Sequence, residues 1–280
     1  MAASPGSIII PAYNEAAGIR RCLDRLFSGL GDGVEVIVAC NGCTDGTADR
    51  ARESGRPVKV LDLPDPGKVA AIRAAERETS ALPRVYLDAD VEVDGGSIMA
   101  VLQAIADGAI AARPPFRYDV SECTWLVRRY YAARSRLESL EAELCGAGIY
   151  AFSAEARQRF DEFPLITGDD LFAARIVRPG EVVVVPAEPV VIHPARNARA
   201  TLKVLKRVVR GNQEFAVTHP DLAIDSTGTT GSGLKQQLRR PSTFLDAAVY
   251  AGFAIVSRVL VRFDRSAPSW ERDDSSRAAS

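Results

Sequence analysis

The chain has 280 residues, of which 47% are hydrophobic, 25% charged and 7% aromatic. This composition is typical of a soluble globular chain with enough apolar material for a core, and it excludes a disordered, fibrous or disulfide-stapled class. The 35 Lys and Arg and the 36 Asp and Glu leave a formal net charge of -1, so no overall basic field exists to gather nucleic acid.

The cysteines and the N-terminus favour a reducing compartment. Five cysteines are an odd, scattered set. Cys40 and Cys43 have the spacing of a redox pair, but no second pair or thiolate-stabilising context accompanies them, so we interpret them as small apolar residues. The first ten residues, MAASPGSIII, lack a basic segment and a long apolar one, so no signal peptide is predicted. We expect a cytoplasmic protein, with a place at the inner face of the membrane left open.

Short β-branched runs alternate with helical patterns over the first ninety residues, which is typical of parallel strands joined by crossover helices. The predicted strands are Ser7–Pro11, Val34–Cys40, Val58–Leu63 and Val85–Asp88. Helices are predicted to begin at Asn14, at Thr44 or Asp45, and at Lys68. Because the carboxyl ends of parallel strands share one edge, ligands are expected to bind there.

The pattern after residue 100 is less regular. Strands are predicted at Ala109–Arg113, Ile149–Phe152, Val182–Val185 and Val190–His193, and helices at Ser121–Leu144, Asp169–Ile176 and Phe244–Val261. The polar segment Asp221–Gln237 is predicted to be a mobile loop because it is rich in Gly, Ser and Thr. The uncharged part of the last helix, Ala247–Ser257, is shorter than the roughly 20 residues that span a bilayer. Core packing, a homodimer contact and peripheral membrane contact all stay open for this helix.

Polar side chains follow all four early strands. They are Asn14 and Glu15, then Asn41 and Asp45, then Gly67 and Lys68, and finally Asp88 and Asp90. Asp88 and Asp90 project to one side of the chain, where their oxygens can bind one Mg²⁺ or Mn²⁺ ion. Lys68 supplies a cation for phosphate oxygens. Each cluster alone is ordinary turn chemistry, but four of them on one sheet edge favour a nucleoside-diphosphate site.

Five motifs resemble family-2 glycosyltransferases of the GT-A fold, in order as well as in spacing. They are IIIPAYNE (8–15), NGCTDGT (41–47), GKVAAIRAA (67–75), the D-x-D at 88–90 and GDDLFAAR (168–175). The resemblance implies an α/β, Rossmann-like fold with a mixed, mainly parallel sheet flanked by helices and a helical C-terminal extension. It implies a transferase domain at 1–211, with a nucleotide-sugar part at 1–115 and an acceptor part at 116–211. A loop, an apolar helix and a charged tail then occupy 212–280.

The resemblance also implies an activity, which is transfer of a sugar from a nucleotide diphosphate sugar to a hydroxyl acceptor with the help of a divalent ion. It gives nucleotide-sugar contacts to Pro11, Ala12, Tyr13, Asn14, Glu15, Asn41, Asp45, Lys68, Asp88 and Ala89. Asp45 would read the base, which favours a UDP-sugar. Asp90 matches the better-attested metal ligand, and Asp88 lies nearer the ribose or a bridging water. The acceptor, whether a glycan, a lipid-linked molecule or a small molecule, is not specified.

Asp170 matches the family's catalytic base, and Asp169 stands where the family usually has Glu. In an inverting transfer, such a carboxylate removes the proton of the attacking hydroxyl. A retaining enzyme and an inactive nucleotide-sugar-binding protein stay open as alternatives. His193 is either a third metal ligand or an ordinary histidine.

The acceptor side has several candidates, which are Trp125, Gly146, Gly148, Arg207 and Arg210. The last two belong to a segment with six basic residues and no acid, from Arg196 to Arg210. This segment is either a solvated face or a contact for diphosphate or anionic lipid. It lacks the Gln and Trp of the Q-x-x-R-W motif of processive relatives, so non-processive transfer is expected.

Overall fold

The computed structural model describes residues 5–137, 144, 146–222 and 227–264. The chain forms two compact units. The first unit comprises residues 1–116, 142–165 and 169–190, and the second comprises 117–141, 166–168 and 191–280.

A seven-stranded sheet with the order β3-β2-β1-β4-β7-β5-β8 forms the centre of the first unit. Its strands are β1 (Ser7–Ala12), β2 (Glu35–Asn41), β3 (Lys59–Leu63), β4 (Arg84–Leu87), β5 (Ala111–Arg113), β7 (Ile149–Phe152) and β8 (Val182–Val184). Only β7 runs antiparallel to its neighbours, β4 and β5, among the described pairings. A separate two-stranded sheet pairs β6 (Phe116–Tyr118) with β9 (Val190–Ile192). The predicted mixed, mainly parallel α/β sheet is confirmed.

The strand β1 is buried along its whole length, which explains its unbroken apolar run. Ile8, Ile9 and Ile10 have no exposed surface. Central strands of parallel sheets are covered on both faces, so they do not alternate between apolar and polar residues. Complete burial of each isoleucine side chain stabilises the fold by about 2 kcal/mol.

Helices cover the sheet of the first unit. They are α1 (Ile19–Leu26), α2 (Thr47–Arg52), α3 (Lys68–Arg77), α4 (Gly95–Ala106), α6 (Ala154–Arg157) and α7 (Asp169–Ile176). The helix predicted to open at Asn14 begins instead at Ile19, because Glu15 O accepts the Gly18 and Ile19 N–H groups in a turn.

The helix α4 was not predicted from the sequence, since it opens with two glycines. The Asp94 side chain caps it by accepting the Ser97 N–H at 3.0 Å. Gly95 is required by close packing, because a Cβ there would lie 2.0 Å from Leu30 N. Burial of Ile98 and other apolar side chains then fixes the helix against the core.

The second unit is mainly helical. Its helices are α5 (Trp125–Arg134), α8 (Ala198–Thr218), α9 (Thr227–Leu238) and α10 (Pro241–Phe263). The helix α10 packs against the other three. Its contact with α5 includes the Tyr130 ring, which stacks on the Tyr250 ring. Asp246 of α10 is buried and accepts hydrogen bonds from Arg129 at 3.1 Å and Arg136 at 2.7 Å.

Two predictions for the second unit need correction. The segment Asp221–Gln237 is not a loop throughout, because α9 begins at Thr227; residues 223–226 lie outside the described residues. Packing overrides the poor helix propensity of this segment, as Gln237 is buried and donates a hydrogen bond to Ala133 O at 3.1 Å. The helix predicted at 121–144 is present as the ten residues of α5, while residues 138–143 lie outside the described part. Gly211, where the predicted transferase domain ends, is a residue of α8.

The helix α10 is longer than predicted. It has 23 residues, and an 18-residue stretch within it has a mean hydropathy of 1.7, which by length and composition alone is enough to cross a membrane. Only 22% of this apolar stretch is buried within the protein.

Candidate active site

One lysine joins two of the predicted acidic motifs. Lys68 is the first residue of α3, and its Nζ lies 2.8 Å from Asp88 Oδ1 and 3.0 Å from Asp169 Oδ2. Asp88 follows β4, and Asp169 is the first residue of α7. Three charged residues from distant motifs therefore meet beyond the carboxyl ends of the parallel strands.

The electrostatics of this cluster keep Lys68 charged. Burial alone would lower the pKa of Lys68, but the carboxylates of Asp169, Asp88 and Asp170 raise it well above its ordinary value. Burial raises the pKa of both Asp88 and Asp169, and the Lys68 ammonium opposes that rise. The cluster thus holds one cation between carboxylates, of which Asp169 is buried.

The D-x-D turn is fixed by backbone contacts. Asp88 N–H donates to Gly148 O at 2.8 Å, and Val91 N–H donates to Asp88 O at 3.0 Å. Gly148 has φ +65°, and a Cβ there would lie 2.6 Å from Val91 Cγ2 and 3.3 Å from Asp88 Oδ2. Only glycine fits this position. Gly148 therefore lies beside Asp88, and Asp90 is exposed at the same turn.

The predicted metal ligands fall into two groups. Asp88 and Asp90 belong to the first unit, and their oxygens suit a hard divalent ion, which commonly takes one or two protein carboxylates. His193 belongs to the second unit, where its side chain is 64% exposed and its Nδ1 lies 3.9 Å from Asp119 Oδ2. Over the part of the chain that the structure describes, no group of three or more His, Cys, Asp or Glu is arranged to hold a metal ion.

The loops after β1 and β2 are tied together by side chains. Asn14 has φ +52°, and its Oδ1 accepts the Thr44 N–H at 2.8 Å. Asp45 accepts the Ala16 N–H at 3.0 Å and the Thr47 N–H at 3.1 Å. Burial alone would raise the pKa of Asp45, but these hydrogen bonds and that of the Thr47 hydroxyl lower it. Asp45 is therefore a fixed, ionised carboxylate.

Asn41 connects three segments at the sheet edge. This buried side chain donates to Ala12 O at 2.8 Å and accepts the Gly67 N–H at 2.9 Å. It holds the end of β1 and the residue before Lys68 in place. In the structure the Asn41 side chain therefore stabilises the backbone of these segments through hydrogen bonds.

The remaining nucleotide-sugar candidates lie along the same edge. Pro11, Ala12 and Ala89 are buried, while Tyr13 is half-buried. Glu15 donates its N–H to Thr47 Oγ1 at 2.8 Å. The sequence analysis did not single out Thr47. This residue is the first of α2 and the last of the motif NGCTDGT. A hydroxyl at the start of a helix typically makes hydrogen bonds to nearby backbone groups, and this position was the signal that could have identified it.

The two acids of α7 differ in environment. Asp169 is buried against Lys68, whereas Asp170 is exposed and its Oδ1 accepts the Leu171 N–H at 2.9 Å. Both lie in the first turn of α7. Asp170 is thus the acid of the pair that faces solvent.

The acceptor-side candidates are divided between the units. Both glycines lie in the first unit. Gly146 is exposed beside the Phe116 ring, and Gly148 is half-buried beside Asp88. In the second unit, Trp125 is 53% exposed with the Arg129 guanidinium 5.4 Å from its ring. The other two are Arg207, which is exposed, and Arg210, whose Nη2 lies 2.8 Å from Asp264 Oδ2.

Three of the cysteines that the structure describes, Cys22, Cys40 and Cys123, are buried as apolar packing residues would be. Cys22, Cys40, Cys43 and Cys123 are free thiols. Burial raises the pKa of Cys22 and of Cys40 to about 12. A thiol in this state is not a nucleophile near neutral pH.

A comparison with protein families identifies the class. The sequence profile of glycosyl transferase family 2 matches residues 7–162, which is more than half of the chain and includes the D-x-D turn and the loops after β1, β2 and β3. The chain belongs to this family. The resemblance to family-2 glycosyltransferases, predicted from the five motifs, is confirmed.

Individual relatives are more distant. The glycosyltransferase AglE of Haloferax volcanii is 33% identical over 90 residues, and this match spans 30% of each chain. A mannosyltransferase from Pyrobaculum calidifontis, solved in complex with GDP-Man and Mn²⁺, superposes with a TM-score of 0.65 at 19% identity, covering 93% of this chain and 87% of that one. This second likeness shows that the fold is shared.

Proposed function

We propose that this protein is a glycosyltransferase that uses a divalent metal ion to move a sugar from a nucleoside diphosphate sugar to a hydroxyl acceptor. The observation that carries the proposal is the cluster of Lys68 with Asp88 and Asp169 at the carboxyl edge of the parallel strands. Open α/β sheets bind ligands at this edge. A fixed cation beside a D-x-D turn suits a diphosphate together with its metal ion.

The loops after β1 and β2 support a nucleotide site. The contacts of Asn14, Asp45 and Asn41 fix the loop backbones before any ligand arrives, so little ordering entropy is lost on binding. The ionised Asp45 suits the ring N–H of a pyrimidine such as uracil. We therefore favour a UDP-sugar as the donor.

Asp88 and Asp90 would hold the divalent ion, Mg²⁺ or Mn²⁺. Such an ion offsets negative charge on the leaving diphosphate. Lys68 contributes a second positive charge, held near the diphosphate by its contacts with Asp88 and Asp169.

Asp170 is the proposed catalytic base. It is exposed and lies in the first turn of α7. Asp169 is bound to Lys68, so we assign it as a positioning residue that fixes the start of α7. Asp170 would take the proton of the acceptor hydroxyl while that oxygen attacks the anomeric carbon from the side opposite the diphosphate. The sugar is then transferred with inversion, one residue at a time, in the cytoplasm.

A thermal-shift series tests the donor assignment. Nucleoside diphosphates and their sugars are added with and without Mn²⁺, and the matching donor is expected to stabilise the protein selectively when the metal is present. Stabilisation by none of them contradicts the proposal. Once donor and acceptor are in hand, NMR of the product anomer distinguishes inversion from retention, and binding without turnover identifies an inactive binding protein.

A further inference from the structure

The helix α10 leaves one of its faces uncovered. Seven large apolar residues of this helix are exposed, namely Phe244, Leu245, Ile255, Val256, Val259, Leu260 and Phe263. At 100° per residue they form one continuous stripe, which we call the outer face of α10. The most exposed are Ile255 at 60% and Phe263 at 77%. An apolar stripe of this length marks an interaction site.

The opposite face of α10 is already used within the second unit. Asp246, Phe253, Ser257 and Val261 are buried, and α10 packs there against α5 and α8. The Asp246 carboxylate is held by Arg129 of α5 and by Arg136, two residues after the end of that helix. Because α10 is packed along its length on helices that carry charged residues, it suits a position in the plane of an interface and not one across a bilayer.

The net charge of the second unit indicates which kind of partner suits the outer face of α10. Among the described residues, the second unit carries 16 Lys and Arg against 6 Asp and Glu, while the first unit carries 16 against 23. The near-neutral chain therefore contains a second unit with a net charge of +10 over its described residues. Two exposed arginines, Arg258 and Arg262, lie on α10 beside the apolar stripe.

We propose that the second unit docks on an anionic lipid bilayer, with the outer face of α10 lying in the headgroup region. Apolar side chains enter the boundary of the acyl chains, while arginines at the edge of the stripe extend to the lipid phosphates. A second copy of this chain is disfavoured as the occupant, because two surfaces of the same strong positive charge repel each other. This inference goes beyond the proposed transfer reaction and does not depend on it.

Flotation with lipid vesicles tests the proposal on the full chain. The protein is expected to bind phosphatidylcholine vesicles that contain phosphatidylglycerol at least about tenfold more tightly than phosphatidylcholine alone, and to lose this preference as salt rises. Ile255→Glu should abolish flotation. Leu165→Glu is the matched control, since this residue is 65% exposed in the first unit and should leave flotation unchanged.

A second pair of variants tests the charge contribution. Arg258→Gln with Arg262→Gln should weaken binding to anionic vesicles by about tenfold or more, since each basic residue near such a surface contributes about fivefold. Arg20→Gln with Arg50→Gln removes the same charge from exposed positions of the first unit and should have no effect.

The outcomes that overturn the proposal are distinct. Failure of the wild-type protein to float with anionic vesicles overturns it, as does flotation of Ile255→Glu equal to the wild type. Light scattering that finds a dimer dispersed by Ile255→Glu, without vesicle binding, assigns the outer face to a second copy instead. Circular dichroism melting controls for folding, because Ile255 is mainly exposed and its replacement should leave the melting temperature unchanged.

Discussion

Lys68 Nζ lies 3.0 Å from Asp169 Oδ2, which connects the start of α3 to the start of α7. The Asp169 side chain is 7% exposed and the Lys68 side chain 31% exposed, so solvent screens this ion pair only in part. The pair therefore holds the first residues of α3 and α7 together, and it places a positive charge beside the buried Asp169 carboxylate.

Removal of the Lys68 charge should destabilise the protein. We expect Lys68→Gln to lower the free energy of unfolding by about 2 kcal/mol, because it leaves the buried Asp169 carboxylate without its cation. Lys59→Gln is the control, since Lys59 and Glu78 form an exposed ion pair whose loss should cost about 0.5 kcal/mol or less. Urea unfolding measures both, and equal effects would contradict the structural assignment of Lys68.

The two acids of α7 should respond differently to amidation. Asp170→Asn should lower the transfer rate by about 10²- to 10⁴-fold and leave donor affinity and stability near those of the wild type. Asp169→Asn should lower the melting temperature and weaken donor binding, because Lys68 loses a partner. Turnover assays with calorimetric donor titrations separate the two effects. A wild-type transfer rate in Asp170→Asn would show that it is not the base.

Gly148 should tolerate no side chain. Gly148→Ala is expected to cost about 2 to 3 kcal/mol of unfolding free energy, since it places Cβ in contact with Val91 and requires a left-handed backbone from alanine. Adding Val91→Ala should recover about 1 kcal/mol by removing the steric part alone. A double-mutant cycle from urea unfolding measures this coupling. Strict additivity of the two changes would contradict the contact.

Asp246 should make the free energy of unfolding depend on pH in the acidic range. Burial alone would raise its pKa, but hydrogen bonds from Arg136 and Arg129 lower it below its unfolded value of about 3.9. The ionised Asp246 carboxylate therefore contributes its full share to the stability of the fold above that pH, and this share is lost as pH falls through the lowered pKa.

The variant Asp246→Asn tests this contribution. It should be less stable than the wild type by about 1 to 2 kcal/mol at pH 7, since both arginines are partly exposed. The difference should shrink progressively in acid. Unfolding in urea at neutral and acidic pH checks this, and a difference that stays constant with pH would count against the ion pairs.

Much of the first unit was predictable because its signals are local. The runs around Ile8 to Ile10 have the unbroken hydrophobicity of buried parallel strands, and polar clusters at strand ends indicated the edge where Asn41 and Asp88 lie. The meeting of Lys68 with Asp169 was not predictable from spacing, since only the folded chain brings α3 and α7 together.

The helices α4 and α9, which were not predicted from the sequence, are stabilised by tertiary packing. The glycines at the start of α4 indicate a loop, but Gly95 is required by the close approach of Leu30. The Gly-rich α9 has poor helix propensity, and the hydrogen bond from buried Gln237 to Ala133 O fixes its end. Propensity alone does not report such contacts.

The central claim is that the D-x-D turn binds a nucleoside diphosphate sugar with a divalent ion. Calorimetric titration of the matching donor tests it most directly, with Mn²⁺ and with a chelator, on the wild type and on Asp90→Asn. We predict saturable binding to the wild type that weakens at least about tenfold in the chelator. Asp90→Asn should bind weakly in both conditions. Donor binding that is equally tight in all four titrations would contradict the claim.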